Sequence, residues 1–454
     1  MRVRLTSLGC KLNQAEIEAV ARRLVADGHQ LVEDLDGADV HVVNSCTVTA
    51  AAARDSRKVA RRGTRLAHVP FTVLTGCWAS EEPAVAGRLD GVDLVVENRD
   101  KERLVDRLYA AVPELAAASR RASQPGPTDE VPVSYVSLPY GNTRAALKVE
   151  DGCNMRCAFC IIPSTRGRQR SRPPEDVVDE LRELVAAGCR EVVVTGVQIS
   201  AWRWQGLRLH DLVDLLVEES GGARLRLTSI APWQLDGPLR RLFEDRRVCR
   251  HVHLSLQSGC TRTLRRMRRP YTASAFETLV EDLRARVPGL AVTSDVIVGF
   301  PGETEDEFES SLAFVERLGF ARTHVFTYSE RRGTLAANMP DPVPHPERRE
   351  RAHRMLAVAD ATRQRFERSQ CGARLQVLWE RPRGGRLRGH SDNYLEIWER
   401  PEGAAGRQGP GDGAEPLVGL ATRAGGSRCP SRRQPGQFEE VAVRYADGVG
   451  LLVA

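Results

Sequence analysis

What most restricts this chain is a run of cysteines set directly behind an apolar strand. Residues 150–172 read EDGCNMRCAFCIIPSTRGRQRSR, so Cys153, Cys157 and Cys160 have C-x3-C-x2-C spacing on a loop after the strand predicted at Ala145–Val149. Soft thiolates that close together grip three corners of an iron–sulfur cube, or zinc. A closed zinc site needs a fourth ligand nearby. No His lies between Asp151 and Leu209, and Cys189 comes only after a helix-like run. Three reduced thiols or a partial zinc site are the plainer alternatives. The spacing, with aromatic Phe159 between the last two cysteines, favours three ligands and an open corner.

Strand and helix patterns alternate on either side of that loop. Ahead of it, strands are predicted at Arg2–Leu8, Val40–Asn44, Phe71–Thr75 and Asp93–Val96. Helices run to about Asp27, from about Thr49 to Arg62, and over Lys101–Ala111, with Asn13 and Glu16 as a capping box for the first. Alternation of this kind predicts a parallel α/β sheet. Cys10, Cys46 and Cys77 each follow the carboxyl end of one of these strands, the edge where open parallel sheets bind ligands. On the residues alone, a convergent site and three small buried side chains stay equally open.

Beyond the loop, six more strand–helix units are predicted. Their strands are Ala145–Val149, Arg190–Thr195, Arg224–Ser229, His251–Leu256, Ala291–Val298 and Thr323–Tyr328. Helices fall near Pro174–Ala187, Leu209–Glu219, Leu235–Asp245, Thr272–Arg286 and Thr304–Leu318. Six units make an incomplete (β/α)6 TIM-type barrel with its site at the strands' carboxyl ends. A charged helix, His345–Arg368, leads to short alternating strands at Arg374–Trp379, Tyr394–Trp398, Pro416–Ala421 and Phe438–Arg444, the pattern of a small β-barrel. A Gly/Pro/Arg-rich insertion, 401–414, interrupts it. The expected division is an α/β domain over 1–115, a linker over 116–137, the barrel over 138–370 and the β-module over 371–454.

Composition bounds the partners. The net charge of +6 is mild and only suggests nucleic acid. No apolar run is long enough to span a membrane, and the first residues lack a signal-peptide core. Eleven cysteines without an export signal point to reduced thiols and metal ligands, hence to the cytoplasm. Arg166, Arg168, Arg170 and Arg172 read equally as a solvated face or as phosphate contacts. Trp379, Tyr394 and Trp398 fit a barrel core better than base stacking. Cys189 and Cys249 read as core; Cys260 is a neutral replacement or an extra thiol facing the cavity.

The C-x3-C-x2-C loop resembles that of the radical S-adenosylmethionine (SAM) superfamily. There an open iron chelates the methionine part of SAM, and an electron cleaves the sulfonium to a 5′-deoxyadenosyl radical. LGCKLNQAE, VNSCTVT and TGC ahead of such a loop resemble the methylthiotransferases, and QVLWE with GHSDNYLEI resembles their TRAM domain, a small OB-like RNA-binding barrel. The resemblance implies two [4Fe–4S] clusters, one on Cys10, Cys46 and Cys77 and one on Cys153, Cys157 and Cys160. It also implies SAM contacts near Phe159, Gly196, Ser255, Gln257, Gly299, Pro301 and Gly302. The superfamily glutamate after Gly196 is missing, since the stretch reads TGVQ.

The activity implied is replacement of a C–H hydrogen by a methylthio group. LGCKLNQAE is most similar to the group acting on threonylcarbamoyladenosine in tRNA. Other groups act on isopentenyladenosine in tRNA or on a ribosomal-protein aspartate. The implied partners are the tRNA anticodon stem-loop, a reducing electron donor and a sulfur source, with the protein a monomer. An iron–sulfur redox sensor that binds RNA is the reading from another class. No side chain stands out as a catalytic acid or base.

Overall fold

The structure, a computed structural model, describes residues 1–122, 143–383, 386–399, 433–446 and 450–453. The N-terminal sheet holds five parallel strands, β1 (Arg2–Ser7), β2 (Gln30–Leu31), β3 (Val40–Ser45), β4 (Phe71–Gly76) and β5 (Leu94–Val96), in the order β2-β1-β3-β4-β5. Every residue of β3 is buried, as a parallel strand covered on both faces requires. The pairing of only two residues on β2 leaves no period for a sequence pattern to show.

The first helix, α1 (Lys11–Ala26), corrects the expected capping box. Cys10 is its N-cap and makes no side-chain cap bond, while Asn13 and Glu16 are buried along the helix. Their polar groups are committed to the domain junction described below.

Six strands follow in chain order: β6 (Arg144–Lys148), β7 (Glu191–Thr195), β8 (Arg224–Leu227), β9 (His251–His253), β10 (Ala291–Val298) and β11 (Arg322–Thr327). The ladders within β6-β7-β8 and β9-β10-β11 are parallel, and single parallel bridges, Leu225–Val248 and Ile230–Leu254, join the two halves. The expected strand over His251–Leu256 stops at His253, and the carbonyls of Ser255 and Leu256 accept the Tyr271 hydroxyl at 2.7 and 2.6 Å instead. The expected helix Leu235–Asp245 shrinks to Gly237–Arg241 and a 3₁₀ turn, Leu242–Glu244. By contrast, Glu305–Leu318 has strong signals at both ends: a Thr304–Glu307 capping box and left-handed Gly319.

Helix α1 also closes the free edge of β6. The Glu18 carboxylate accepts the Ala146 N–H at 3.2 Å, so a strand edge is satisfied by a side chain of the N-terminal domain. The helix Pro113–Ala122 occupies the first residues of the expected linker; the rest of it, 123–137, lies outside the described residues.

The long helix His345–Ser369 leads into a closed barrel of β12 (Arg374–Arg383), β13 (Arg386–Ser391), β14 (Glu396–Trp398), β15 (Phe438–Ala446) and β16 (Gly450–Val453), in the order β12-β13-β14-β16-β15. Sequence periodicity missed β13 and β16. Tyr394 is not a strand residue but sits at φ 65° in the turn before β14. Trp379 is wholly buried, with its indole N–H on Glu439 at 2.8 Å, so it belongs to the core. The expected strand Pro416–Ala421, the insertion 401–414 and Cys429 lie outside the described residues. Among the described residues no helix is long and apolar enough to cross a membrane.

Candidate active site

A glycine with positive φ precedes the first cysteine of each triad, and a third precedes Cys77. Gly9, Gly76 and Gly152 have φ of 92°, 96° and 75°. A Cβ on Gly76 would lie 2.3 Å from the Ser45 carbonyl oxygen, and one on Gly152 would lie 2.2 Å from that of Arg168. One on Gly9 would meet the Cys46 sulfur at 2.6 Å. The chain turns sharply off a strand end at each point, and only glycine fits. Cys77 then opens the short helix α2 (Cys77–Glu81), while Cys10 caps α1.

Cys10, Cys46 and Cys77 come together at the carboxyl ends of β1, β3 and β4, close enough that each of the first two thiols is raised by the charge of Cys77. Desolvation at the strand ends is the larger cause for both and pushes the buried Cys46 up to about 11, while Cys10 as a whole residue is exposed. Helix α2 packs on the turn Ile162–Arg166, which directly follows Cys160. Asn98 ties the two together, donating from Nδ2 to the Thr165 carbonyl at 3.0 Å and to Cys77 Sγ at 3.8 Å. The two cysteine triads therefore flank one domain junction.

In the second triad, Cys153 Sγ accepts the Met155 N–H at 3.4 Å and faces Gln198 Oε1 at 3.5 Å. Cys157 Sγ accepts Arg269 Nη1 at 3.2 Å. Burial pushes Cys160 up to about 12 and raises Cys153. Buried thiols that stay protonated when empty are ones a metal deprotonates on binding. No cysteine among the described residues is in a disulfide. None of the His, Cys, Asp and Glu side chains there are grouped in threes around a single ion. The donors in each set are three cysteine sulfurs, the soft ligands that iron–sulfur clusters take, one thiolate to each iron.

The other expected contacts are spread around this junction. Phe159 is half-buried against Ala158, Met267, Phe300 and Tyr328. A Cβ on Gly196 would lie 2.6 Å from the Glu150 carboxylate, whose Oε2 takes the Gln198 N–H at 2.9 Å. Gln257 sits at φ 72° and exchanges backbone bonds with Asp295 and Ile297 at 2.8 and 2.9 Å. Ser255 is held by Tyr271 and by Arg269 Nη2 at 3.3 Å. In the turn 299–303, Gly299 makes room for Arg348 of the long helix, 2.4 Å from where its Cβ would be. Gly302 donates its N–H to Asp341 at 2.8 Å. Pro301 is buried in the same turn. Its packing against the helix accounts for Gly299 without a ligand.

Sequence reasoning missed the arginines. Arg166, expected in a solvated or phosphate-facing run, is fully buried: Nη1 pairs with Glu16 at 2.8 Å and Asp151 at 2.9 Å, and Nε reaches Cys77 Sγ at 3.2 Å. Arg172 pairs with Glu180 at 2.5 Å, leaving Arg168 and Arg170 exposed. Arg269 stands over the rings of Trp233 and Tyr271, which stack at 5.6 Å. Cys260 is buried at a helix N-cap.

Two stretches of the chain match known families, and most of its length matches known proteins. Residues 147–315 match the radical SAM superfamily, and residues 2–97 match uncharacterized protein family UPF0004. The threonylcarbamoyladenosine tRNA methylthiotransferase MtaB of Bacillus subtilis is 35% identical over 403 residues, covering 86% of this chain and 88% of the relative. The chain belongs to the MtaB-type radical SAM methylthiotransferases. The tRNA-2-methylthio-N(6)-dimethylallyladenosine synthase of Agrobacterium fabrum is 32% identical over 84% of this methylthiotransferase and 87% of its own length. In three dimensions the enzyme is similar to the radical SAM methyltransferase TsrM of Kitasatospora setae, with TM-score 0.53 and 17% identity over 74% and 77% of the chains. That likeness is one of fold. Membership of the superfamily brings SAM and a [4Fe–4S] cluster to this methylthiotransferase.

Proposed function

We propose that the enzyme inserts a methylthio group at C2 of N6-threonylcarbamoyladenosine beside the tRNA anticodon. The observation that carries this reading is the gathering of two three-cysteine sets on either side of one junction, in a chain whose relative is named for that nucleoside. Cys153, Cys157 and Cys160 would hold the cluster that binds SAM, and Cys10, Cys46 and Cys77 a second [4Fe–4S] cluster. Bound there, these groups would supply the radical that removes hydrogen, together with the sulfur and methyl that replace it.

The chain's own residues position and shield. Arg269 ties Cys157 to the Ser255 carbonyl, so it fixes the cysteine loop that would hold the first cluster against the segment that follows β9. Phe159, with Met267 and Phe300, packs an apolar wall behind the loop and excludes water there. Gly196, Ser255, Gln257, Pro301 and Gly302 lie at the strand ends that would meet SAM, and Gly299, packed against Arg348, shapes the same turn. The six-strand row reads as an incomplete TIM-type barrel, and the closed five-strand barrel as a TRAM-like module that meets RNA. The division near residues 115, 138 and 371 follows from that reading. A reducing electron donor and a sulfur source complete the reaction, in the cytoplasm and with a monomeric enzyme.

Mass spectrometry of tRNA nucleosides from cells with and without the gene tests the substrate. Loss of the methylthio group from threonylcarbamoyladenosine alone is expected. Its loss from isopentenyladenosine alone would establish the second reading, which the Agrobacterium relative's name supports. Unchanged tRNA together with an unmodified ribosomal-protein aspartate would sink both.

A further inference from the structure

Arg166 lies six positions beyond Cys160, on the loop that carries the first cysteine triad, yet its guanidinium reaches the second. Its donors are all committed. Nη1 serves Glu16 and Asp151; Nη2 serves Asn13 at 2.6 Å and Glu16 at 3.3 Å. Nε has Cys77 Sγ at 3.2 Å. Five N–H groups in a rigid fork thus meet acceptors from α1, from the Glu150–Asp151 segment and from α2, so the guanidinium cannot turn away from the sulfur.

The surrounding side chains hold Arg166 in a buried ionic network. Lys101 donates to Glu16 at 2.6 Å and to Asn44 at 3.1 Å, and Lys148 donates to Asp151 at 2.8 Å and to Glu16 at 3.4 Å. Lys101, Lys148 and Arg166 face Glu16 and Asp151, all with side chains at most 19% exposed, and the buried Glu150 carboxylate lies beside Asp151 and Lys148. A buried guanidinium N–H is costly to leave without an acceptor, and Cys77 Sγ is the acceptor that Nε has. A neutral thiol is a weak acceptor. A thiolate bound in an iron–sulfur cluster would be the stronger acceptor for this N–H.

We propose that Arg166 is a positioning residue of the second cluster: it fixes Cys77 for ligation and raises that cluster's reduction potential through a charged N–H···S bond. This rests on the two-cluster reading above. Hydrogen bonds and positive charge at cluster sulfur favour the reduced, more negative state. Arg269 bears the same relation to Cys157 in the first triad, which gives an internal comparison.

Full-length protein reconstituted anaerobically with iron and sulfide is the sample. Iron per chain, circular dichroism and EPR-monitored redox titration are compared for wild type, Arg166→Gln, Arg166→Lys and Arg269→Gln. Adding SAM marks the first cluster by the change in its signal. Arg166→Gln is expected to lower the midpoint of the cluster that SAM leaves unchanged and no other; Arg269→Gln is expected to lower only the SAM-responsive one. Arg166→Lys keeps a charge but not the fork, and should give a smaller downward shift of the same cluster; it decides the matter if Arg166→Gln does not fold. Midpoints that stay put in the Arg166 variants, or that shift together, would make Arg166 mere glue between domains. Wild type holding about four irons instead of about eight would overturn the two-cluster reading itself, whereas about eight irons with unmoved midpoints overturns only the role of Arg166.

Discussion

Glu191, with no exposed surface, accepts Arg226 Nε across the β7–β8 ladder at 2.7 Å. Arg224 Nε joins at 2.6 Å. Both guanidiniums then donate outward to backbone carbonyls of the small barrel: Arg224 to Gln376 and His390 at 2.9 and 2.8 Å, Arg226 to Ser391 and Asp392 at 3.1 Å. Tyr394 stacks below Arg226 and beside His251. The foot of the central strands is therefore a socket for the C-terminal module, and its Tyr394 ring is used there, not for stacking bases.

Removing the Glu191 charge should loosen that socket. Glu191→Gln leaves two buried guanidiniums short of a counter-charge, a loss on the order of 3–5 kcal/mol for a broken buried pair. The expected result is a lower Tm and faster proteolytic release of the segment beyond residue 370. An unchanged Tm and cleavage pattern would show that the carbonyls alone hold the module.

The same carboxylate predicts a pH dependence. Burial pushes Glu191 up, but Arg226 and Arg224 outweigh it and hold the carboxyl well below the usual range. A carboxyl depressed in the folded state contributes stability in full above its unfolded value, about 4.3, and loses it as pH falls through the folded one. The Tm gap between wild type and Glu191→Gln should thus be constant from neutral pH to about 5 and close below about 4. A gap that persists unchanged at the acid end would contradict this.

Much of this was readable in the sequence because it is local. Runs such as Val40–Asn44 are buried on both faces and announce parallel strands, and the dipeptides Gly9-Cys10, Gly76-Cys77 and Gly152-Cys153 mark sharp turns that present a thiol. What escaped was non-local. Nothing near Arg166 distinguishes it from exposed Arg168 and Arg170, because Glu16 and Asn13, which bury it, lie 150 and 153 residues away. Likewise Asn13 and Glu16 have the spacing of a capping box, and only the packed junction turns them inward. Strand β13 stayed hidden because Arg386 and Arg388 put charge on its outward face, with Arg388 paired to Glu396 at 2.9 Å across the ladder.

Two glycines of similar positive φ, of which Gly76 also has ψ −167°, a region that essentially only glycine enters, should respond differently to a methyl group. Gly188 has φ 89° with no atom near its Cβ position, whereas Gly76 has φ 96° and the Ser45 carbonyl 2.3 Å away. Gly188→Ala should cost roughly 1–2 kcal/mol from the left-handed conformation alone. Gly76→Ala must also push β3 from β4, so its Tm should fall further, and its second cysteine site should lose iron. Equal Tm losses would mean that the turn, and not the contact, dictates glycine.

The proposed two-cluster reading predicts separable losses of iron. Cys46 is buried beside Gly9 and donates its backbone N–H to the Ser56 hydroxyl oxygen at 2.9 Å, so exchanging its sulfur for hydrogen leaves the local frame intact. Cys46→Ala, reconstituted anaerobically, should fall from about eight irons per chain to about four, keep SAM cleavage to 5′-deoxyadenosine, and form no methylthio product. Cys157→Ala should show the reverse emphasis, holding about four irons but releasing no 5′-deoxyadenosine, because the Arg269-supported loop has lost a ligand. If Cys46→Ala instead keeps all its iron, Cys46 is a small buried residue and the second cluster must find its third thiolate elsewhere.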